Sequence, residues 1–278
     1  MKFDTTNSDL MNMYSYYIIE SIELNKLRAK GEKDLFEAQR KEFIESVSEI
    51  ISQKNLLQKI IETVNNNMKI IKRSLARCGY TSIEIKARLI TKGLFGTGFS
   101  FGKITWEVGL YLDSFLNIPY IPGSEIKGAI RNSWNALYKE KTSFKDNKLE
   151  DMIFGTPERA GAAIFFDAYP IDISESRENH LMIPDVTSPH YAGESEESIH
   201  EAKAMPTPIQ FLVISPGTIF KFIMGMKKET FEDKKILREA IRRLGAATYL
   251  AFSHGIGAKT MVGYSIFKIE DIKIDFLP

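Results

Sequence analysis

From residue 80 onward, two stretches of helical period are each bracketed by stretches of strand period, and few folds accommodate that order. Glu125–Tyr138 places Ile126, Ala129, Ile130, Trp134 and Leu137 on one side of a helix. Residues 229–253 do the same with Phe231, Leu237, Ile241, Leu244, Ala247, Tyr249 and Leu250. Ser82–Thr91 alternates Ile83, Ile85, Ala87 and Leu89 against Glu84, Lys86 and Arg88, as a half-buried strand does. Further strands are expected over Ala162–Ile173, Ile209–Ile214, Thr218–Met226 and Tyr264–Ile274. Ser215-Pro216-Gly217 reads as the turn of a β-hairpin. With one strand of the hairpin region treated as an extension, the order reduces to β-α-β-β-α-β. That order predicts an α+β, ferredoxin-like sheet with two helices on one face and the other face free or covered by loops.

Upstream, residues 8–78 read as an amphipathic helical region broken at Gly31 and at Asn65-Asn66-Asn67, with a packing role. The chain therefore divides into an N-terminal helical region, 1–79, and a second domain, 80–278. Residues 174–203, acidic and interrupted by Pro184, Pro189 and Gly193, read as a long loop inserted in that domain.

Composition narrows the function classes. Lys plus Arg is 37 against 36 Asp plus Glu, so a uniformly basic nucleic-acid coat is excluded while a local basic face is not. One cysteine, Cys78, excludes an intrachain disulfide framework and a Cys-rich zinc site, and fits a reducing cytoplasm. No segment has the apolar run of a signal peptide near the N-terminus, and the longest apolar runs are strand-length, so a soluble chain without a membrane partner is expected.

Two segments invite a ligand. In Gly255-Ile256-Gly257-Ala258-Lys259, continuing to Gly263, glycines lie between a helix and a strand, where positive φ and exposed N–H groups suit phosphate oxygens. It is neither a Walker A loop nor a dinucleotide fingerprint, and a tight turn ending the helix explains it equally well. In Pro119–Arg131, Gly123 and Ser124 offer free N–H groups at a helix start, with Ser124 as N-cap, and Lys127 and Arg131 share one helical face. A capped helix with a solvated basic stripe is the simpler alternative.

The run P-Y-I-P-G-S-E-I-K-G-A-I-R at 119–131 resembles the "IPGSSLKGxxR" signature of RAMP proteins, subunits of CRISPR effector complexes. The 255–265 loop is similar to their C-terminal glycine loop, except that Ser265 replaces the final glycine. I-F-G-T-P-E-R-A-G-A-A-I-F-F-D-A at 153–168 resembles their "FG…G…F-x-D-A" segment. F-G-T-G-F at 95–99, the single set of motifs and residues 206–222 make the resemblance strongest to the sixth-subunit family of type III-B (Cmr) complexes.

The resemblance implies a ferredoxin-like (RRM-like) core and a non-catalytic structural subunit. Its partners would be the CRISPR RNA guide, held towards its 3′ end, the target RNA indirectly, and other RAMP and small subunits. Target cleavage in such complexes belongs to other subunits, and no cofactor or metal is implied. A guide must be gripped by sugar and phosphate because its bases are needed for pairing. The candidate RNA contacts are Lys103, Gly123, Ser124, Lys127, Arg131, Arg159, His254, Gly255, Gly257, Lys259 and Gly263. Phe99, Phe101 and Tyr264 are candidate base-stacking rings, with core packing as the alternative.

His180, His190 and His200 lie in the acidic insertion at spacings that do not converge on a metal. His254 abuts the glycine loop, and a histidine there could serve metal-independent RNA cleavage, so a CRISPR-RNA processing endoribonuclease is the alternative function. A nucleotide-binding role for the glycine loops is a third. Asp113, in Y-L-D-S-F-L, is assigned no role.

Overall fold

The computed structural model describes residues 13–51, 54–98, 108–138, 144–176, 179–187 and 208–275. Lys103, Phe99, Phe101, His190, His200 and most of the acidic insertion lie outside the described residues.

Three helices come first: α1 (Met13–Lys30), α2 (Lys33–Ile51) and α3 (Lys54–Arg77). Gly31 separates the first two at φ 75°, a value glycine adopts without steric cost. The expected break at Asn65–Asn67 is not there, and α3 runs straight through it. Asn65 donates to the Ile61 carbonyl and accepts from Lys221 Nζ at 2.8 Å. Val64 and Met68 are buried on either side, so tertiary packing overrides a weak local propensity.

The main sheet is antiparallel: β4 (Ala163–Phe165), β8 (Ile219–Lys227), β1 (Tyr80–Leu89) and β9 (Phe267–Asp275) lie in that order. β5 (Tyr169–Asp172) also pairs with β8. The predicted single strand at 162–173 is thus two short ones, β4 and β5, both laid on β8. Ile85 stands opposite Phe222 on one side and Ile272 on the other.

On one face, α4 (Gly123–Tyr138) and α6 (Lys234–His254) pack against each other and the sheet. α5 (Phe144–Phe154) packs on α4. Phe95, Phe220, Phe222, Phe252 and Phe267 form the aromatic centre, with Phe222 and Phe252 centroids 4.6 Å apart. Tyr249, expected in this core, is exposed on α6. The 3₁₀ turn Lys228–Thr230 precedes α6, whose N-cap Asp233 accepts from the Lys235 amide.

The opposite face is not left to loops. Alternate residues of β1 and β8 point that way, and α3 covers them: Val64, Met68 and Leu75 close on Ile223, and Lys72 pairs with Glu84 and Asp275 at 3.1 and 3.0 Å. A Cβ on Gly225 would stand 2.7 Å from Leu75 Cδ2, which explains a glycine in a central strand. α1–α3 share one hydrophobic cluster with the sheet, since Tyr17, Phe43 and Val47 belong to the same buried group as Phe222.

The predicted hairpin is corrected. β7 (Ile209–Ile214) does not pair with β8 but with β6 (Met182–Thr187), which lies inside the stretch read as a loop. Ser215–Gly217 instead carries the chain from one sheet into the other, with Gly217 at φ 90° and its amide on the Leu89 carbonyl. α2 packs on β6 and β7, and Ser48 reaches the Met182 carbonyl. β2 (Leu112–Asp113) and β3 (Ile118–Pro119) form a short ribbon ahead of α4.

Candidate nucleic-acid interface

The sequence motifs are stitched to one another in pairs. Ile121 and Ala168 exchange both backbone hydrogen bonds, at 2.9 and 2.8 Å. Asp167 Oδ1 accepts the Gly123 amide at 2.7 Å. The Gly123 N–H, expected to be free for an anion, is therefore taken by a carboxylate of the chain itself, seated where the helix dipole favours negative charge. Gly123 also has no room for a side chain, because a Cβ would lie 2.2 Å from the Phe165 carbonyl oxygen. Ser124 is not the N-cap: α4 begins at Gly123, and the Pro122 carbonyl accepts from Glu125 and Ile126.

Around that helix start lies a cleft of about 590 Å³ lined by Gly123, Ser124, Lys127, Thr156, Arg159 and Gly161, among others. Lys127 and Arg159 form no ion pair among the described residues, so two cations and one carboxylate, Glu158, face the cavity beside an exposed hydroxyl. Arg131 is drawn away from it: its Nε donates to Glu150 Oε1 at 2.9 Å, and its guanidinium lies over the Phe154 ring. Four of the eleven predicted contacts thus converge on one cleft, and Arg131 belongs to the α4–α5 packing beside it.

The second pair joins the glycine loop to residues 92–96. Leu94 O accepts the Ala258 amide at 2.9 Å, and a Cβ on Gly257 would stand 2.6 Å from that same oxygen. Gly255 faces the Tyr264 carbonyl as closely, at 2.8 Å. The Ile256, Val262, Gly263 and Tyr264 amides are bonded within the loop and that of Ser265 to the Lys92 carbonyl, whereas those of Gly257, Lys259, Thr260 and Met261 have no acceptor among the described residues. Ser265, which departs from the family's glycine, takes φ 60° all the same and accepts the Leu94 amide on its Oγ. Gly255 and Gly257 are therefore packing glycines, while Gly263, at φ 88° with open space around it, is a turn glycine.

Between the two motif pairs runs a continuous path: the Tyr111 amide on Phe95 O, the Tyr120 amide on Tyr111 O, and the two tyrosine rings 5.5 Å apart. Tyr120 stacks in turn on Tyr169, whose hydroxyl donates to Asp113 Oδ2 at 2.8 Å. Asp113 Oδ1 accepts the Phe115 and Leu116 amides, so this carboxylate closes a turn.

His254, the last residue of α6, is exposed, and no hydrogen-bond partner holds its imidazole among the described residues. His180 lies within 3.3 Å of Ser48 Oγ on α2 rather than among acids. Among the described residues, no group of histidine, cysteine or carboxylate side chains is placed to hold a metal, and no helix is long and apolar enough to cross a membrane.

The sequence did not single out Lys92, Asp185, Phe211 or the Tyr264 hydroxyl. Asp185 Oδ1 accepts from Lys92 Nζ at 2.7 Å and from the Val186 amide, and Oδ2 accepts from Tyr264 at 2.5 Å. Burial pushes this carboxyl up, but the three donors and the Lys92 charge outweigh it and hold it below the usual range. Burial and the bond to Asp185 push the Tyr264 phenol up to about 12. Lys259 Nζ stands 4.8 Å from the Phe211 centroid and 5.7 Å from that of Tyr264.

A family model described as the RAMP superfamily matches residues 86–268, well over half the chain. The "CRISPR system CMR subunit Cmr6" of Saccharolobus solfataricus is 28% identical, with 98% of this chain and 95% of that protein covered. The "CRISPR system Cmr subunit Cmr6" of Pyrococcus furiosus is 25% identical over 57% of this chain and 60% of its own length. In the "Cryo-EM structure of the Type III-B Cmr-beta bound to cognate target RNA", one chain is similar with TM-score 0.75 and 27% identity, covering 97% of this chain and 95% of that one.

Proposed function

This chain belongs to the RAMP superfamily, and we propose that it is a Cmr6-type, non-catalytic subunit that grips the guide RNA of a type III-B ribonucleoprotein. The cleft at the start of α4 carries the reading: Ser124, Lys127 and Arg159 face one cavity, and neither cation has a carboxylate of its own among the described residues. Such a site holds sugar and phosphate without reading bases, as a guide of variable sequence requires. The amides of Gly257, Lys259, Thr260 and Met261 at the glycine loop form a second contact of the same kind. The near-balanced charge of the chain is no obstacle, because a phosphate contact needs only a local group of cations.

The guide lies towards its 3′ end against this subunit, with RAMP and small subunits beside it and the target RNA reached through the guide, in the cytoplasm. Residues 1–79 form a helical region that backs the domain over 80–278. The sheet order, with α4 and α6 on one face, supports a ferredoxin-like (RRM-like) arrangement for that domain. α3 occupies the face that would otherwise be open.

The test is binding of single-stranded guide RNA across a salt series. The double substitution Lys127→Ala/Arg159→Ala is expected to weaken binding about tenfold and to lower the slope of log K against log salt by about 1.4, two single-strand phosphate contacts' worth. Unchanged affinity and slope would remove the cleft from the RNA path. In parallel, repeat RNA incubated in EDTA should stay intact. Defined cleavage that His254→Ala abolishes would replace this reading with a processing endoribonuclease.

A further inference from the structure

We propose that Tyr264, tethered by Asp185, is a positioning residue that fixes the Lys259 ammonium at the mouth of the glycine loop for a guide-RNA phosphate; the proposal rests on the RNA-binding reading above. Lys259 leaves the loop from a left-handed backbone, φ 55°, so its direction is set by the turn. Its ammonium then meets the two rings of Phe211, on β7, and Tyr264, ahead of β9. A ring on one side of an ammonium attracts the charge and removes rotamer freedom while leaving donors on the other side. Phe211 is fully buried. Tyr264 is half-buried, and its hydroxyl is bonded to Asp185.

The charge arrangement points the same way. Lys259 lies against the Tyr264 ring and Asp185 holds its hydroxyl, and Asp185 already accepts from Lys92, Val186 and Tyr264. Lys259 forms no ion pair among the described residues, so the cluster presents one unspent positive charge. The β6–β7 ribbon, which carries no RNA contact of its own in the reading above, thereby gains a role: Asp185 and Phe211 come from its two strands and hold the loop's cation from behind. The pairing of Gly93 with Ile214 ties the same ribbon to the strand side of the loop.

A double-substitution cycle on the full chain, with single-stranded guide RNA as ligand, tests this. Lys259→Ala is expected to weaken binding about fivefold and to lower the salt slope by about 0.7, one contact. Tyr264→Leu, which removes the ring, should match it in both readouts, and Tyr264→Phe, which keeps the ring and loses the tether, should cost about twofold. In the Lys259→Ala background both Tyr264 substitutions should have no further effect on affinity or slope. Losses that add to Lys259→Ala, or a Tyr264→Leu protein that binds as wild type, would overturn the proposal. If Tyr264→Leu fails to fold, the Tyr264→Phe cycle decides it alone. Binding lost with Lys259→Ala but untouched by Tyr264 defeats only the positioning role. Binding indifferent to Lys259 and to the cleft substitutions together defeats the RNA-binding reading itself.

Discussion

Gly123→Ala is expected to destabilise the fold by about 3 kcal/mol, lowering the thermal midpoint by about 6–12 °C for a domain of this size. The added methyl would lie 2.2 Å from the carbonyl oxygen of Phe165 and 2.9 Å from its carbon. Those atoms belong to the end of β4 and cannot retreat without breaking its pairing with β8, where Phe165 stands opposite Met224. Moving Gly123 instead would pull its amide off Asp167 and forfeit that charge-assisted hydrogen bond at the helix start. Gly263→Ala makes the contrast. That residue has open space around it and only its φ of 88° to defend, so the cost should be about 1 kcal/mol. Chemical denaturation of both variants checks the pair. A Gly123→Ala protein as stable as wild type, with RNA binding alone impaired, would mean that this glycine makes room for the ligand and not for the chain.

This distinction was beyond the reach of the sequence. Glycine at 123, 255 and 257 signals that something comes close, and the sequence has no means of saying whether that is a phosphate or the backbone of Phe165, Tyr264 and Leu94. Period, in contrast, was legible: β1, α4, α6 and β9 emerge from alternation or helical spacing, because each has one face on the aromatic core. β6 did not, because Met182-Ile183-Pro184-Asp185-Val186-Thr187 carries a proline and an acid and sits in an acidic stretch. Pro184 is tolerated because the ribbon has only two strands, and Asp185 is spent on Lys92 and Tyr264. The covering of the second sheet face by α3 was equally hidden, since Lys72 reads as a solvated charge until Glu84 and Asp275 are brought to it. The cleft was half legible: the spacing put Lys127 near the helix start, but Arg159 joins it only through the fold, and Glu150 removes Arg131.

Glu125→Gln is expected to stabilise the protein at pH 8 by about 1–3 kcal/mol and to do almost nothing at pH 4.5. Glu125 lies in the first turn of α4, where the dipole ordinarily favours a carboxylate. Here burial overrides the dipole: one oxygen, Oε2, is shut off from solvent without a hydrogen-bond partner, and desolvation raises the group from an ordinary 4.5 to about 7. The sign follows from which state holds the proton. Between 4.5 and about 7 the unfolded chain ionises while the folded one stays protonated, so stability falls with rising pH through that window and is flat above it. The full loss is about 3 kcal/mol at most, and glutamine, neutral throughout, avoids it at the expense of placing its amide where a carboxyl was. Urea midpoints of the two proteins, measured from pH 4.5 to 8, should diverge across that interval. Curves that stay parallel would mean the carboxyl is charged and satisfied in the folded chain. If they diverge, wild type carries a buried carboxyl that destabilises the fold once ionised, one residue from Ser124 and two from Lys127, and a cation or an RNA phosphate entering the cleft there would shift its titration. Guide RNA, by raising the negative charge nearby, should push the Glu125 transition to still higher pH.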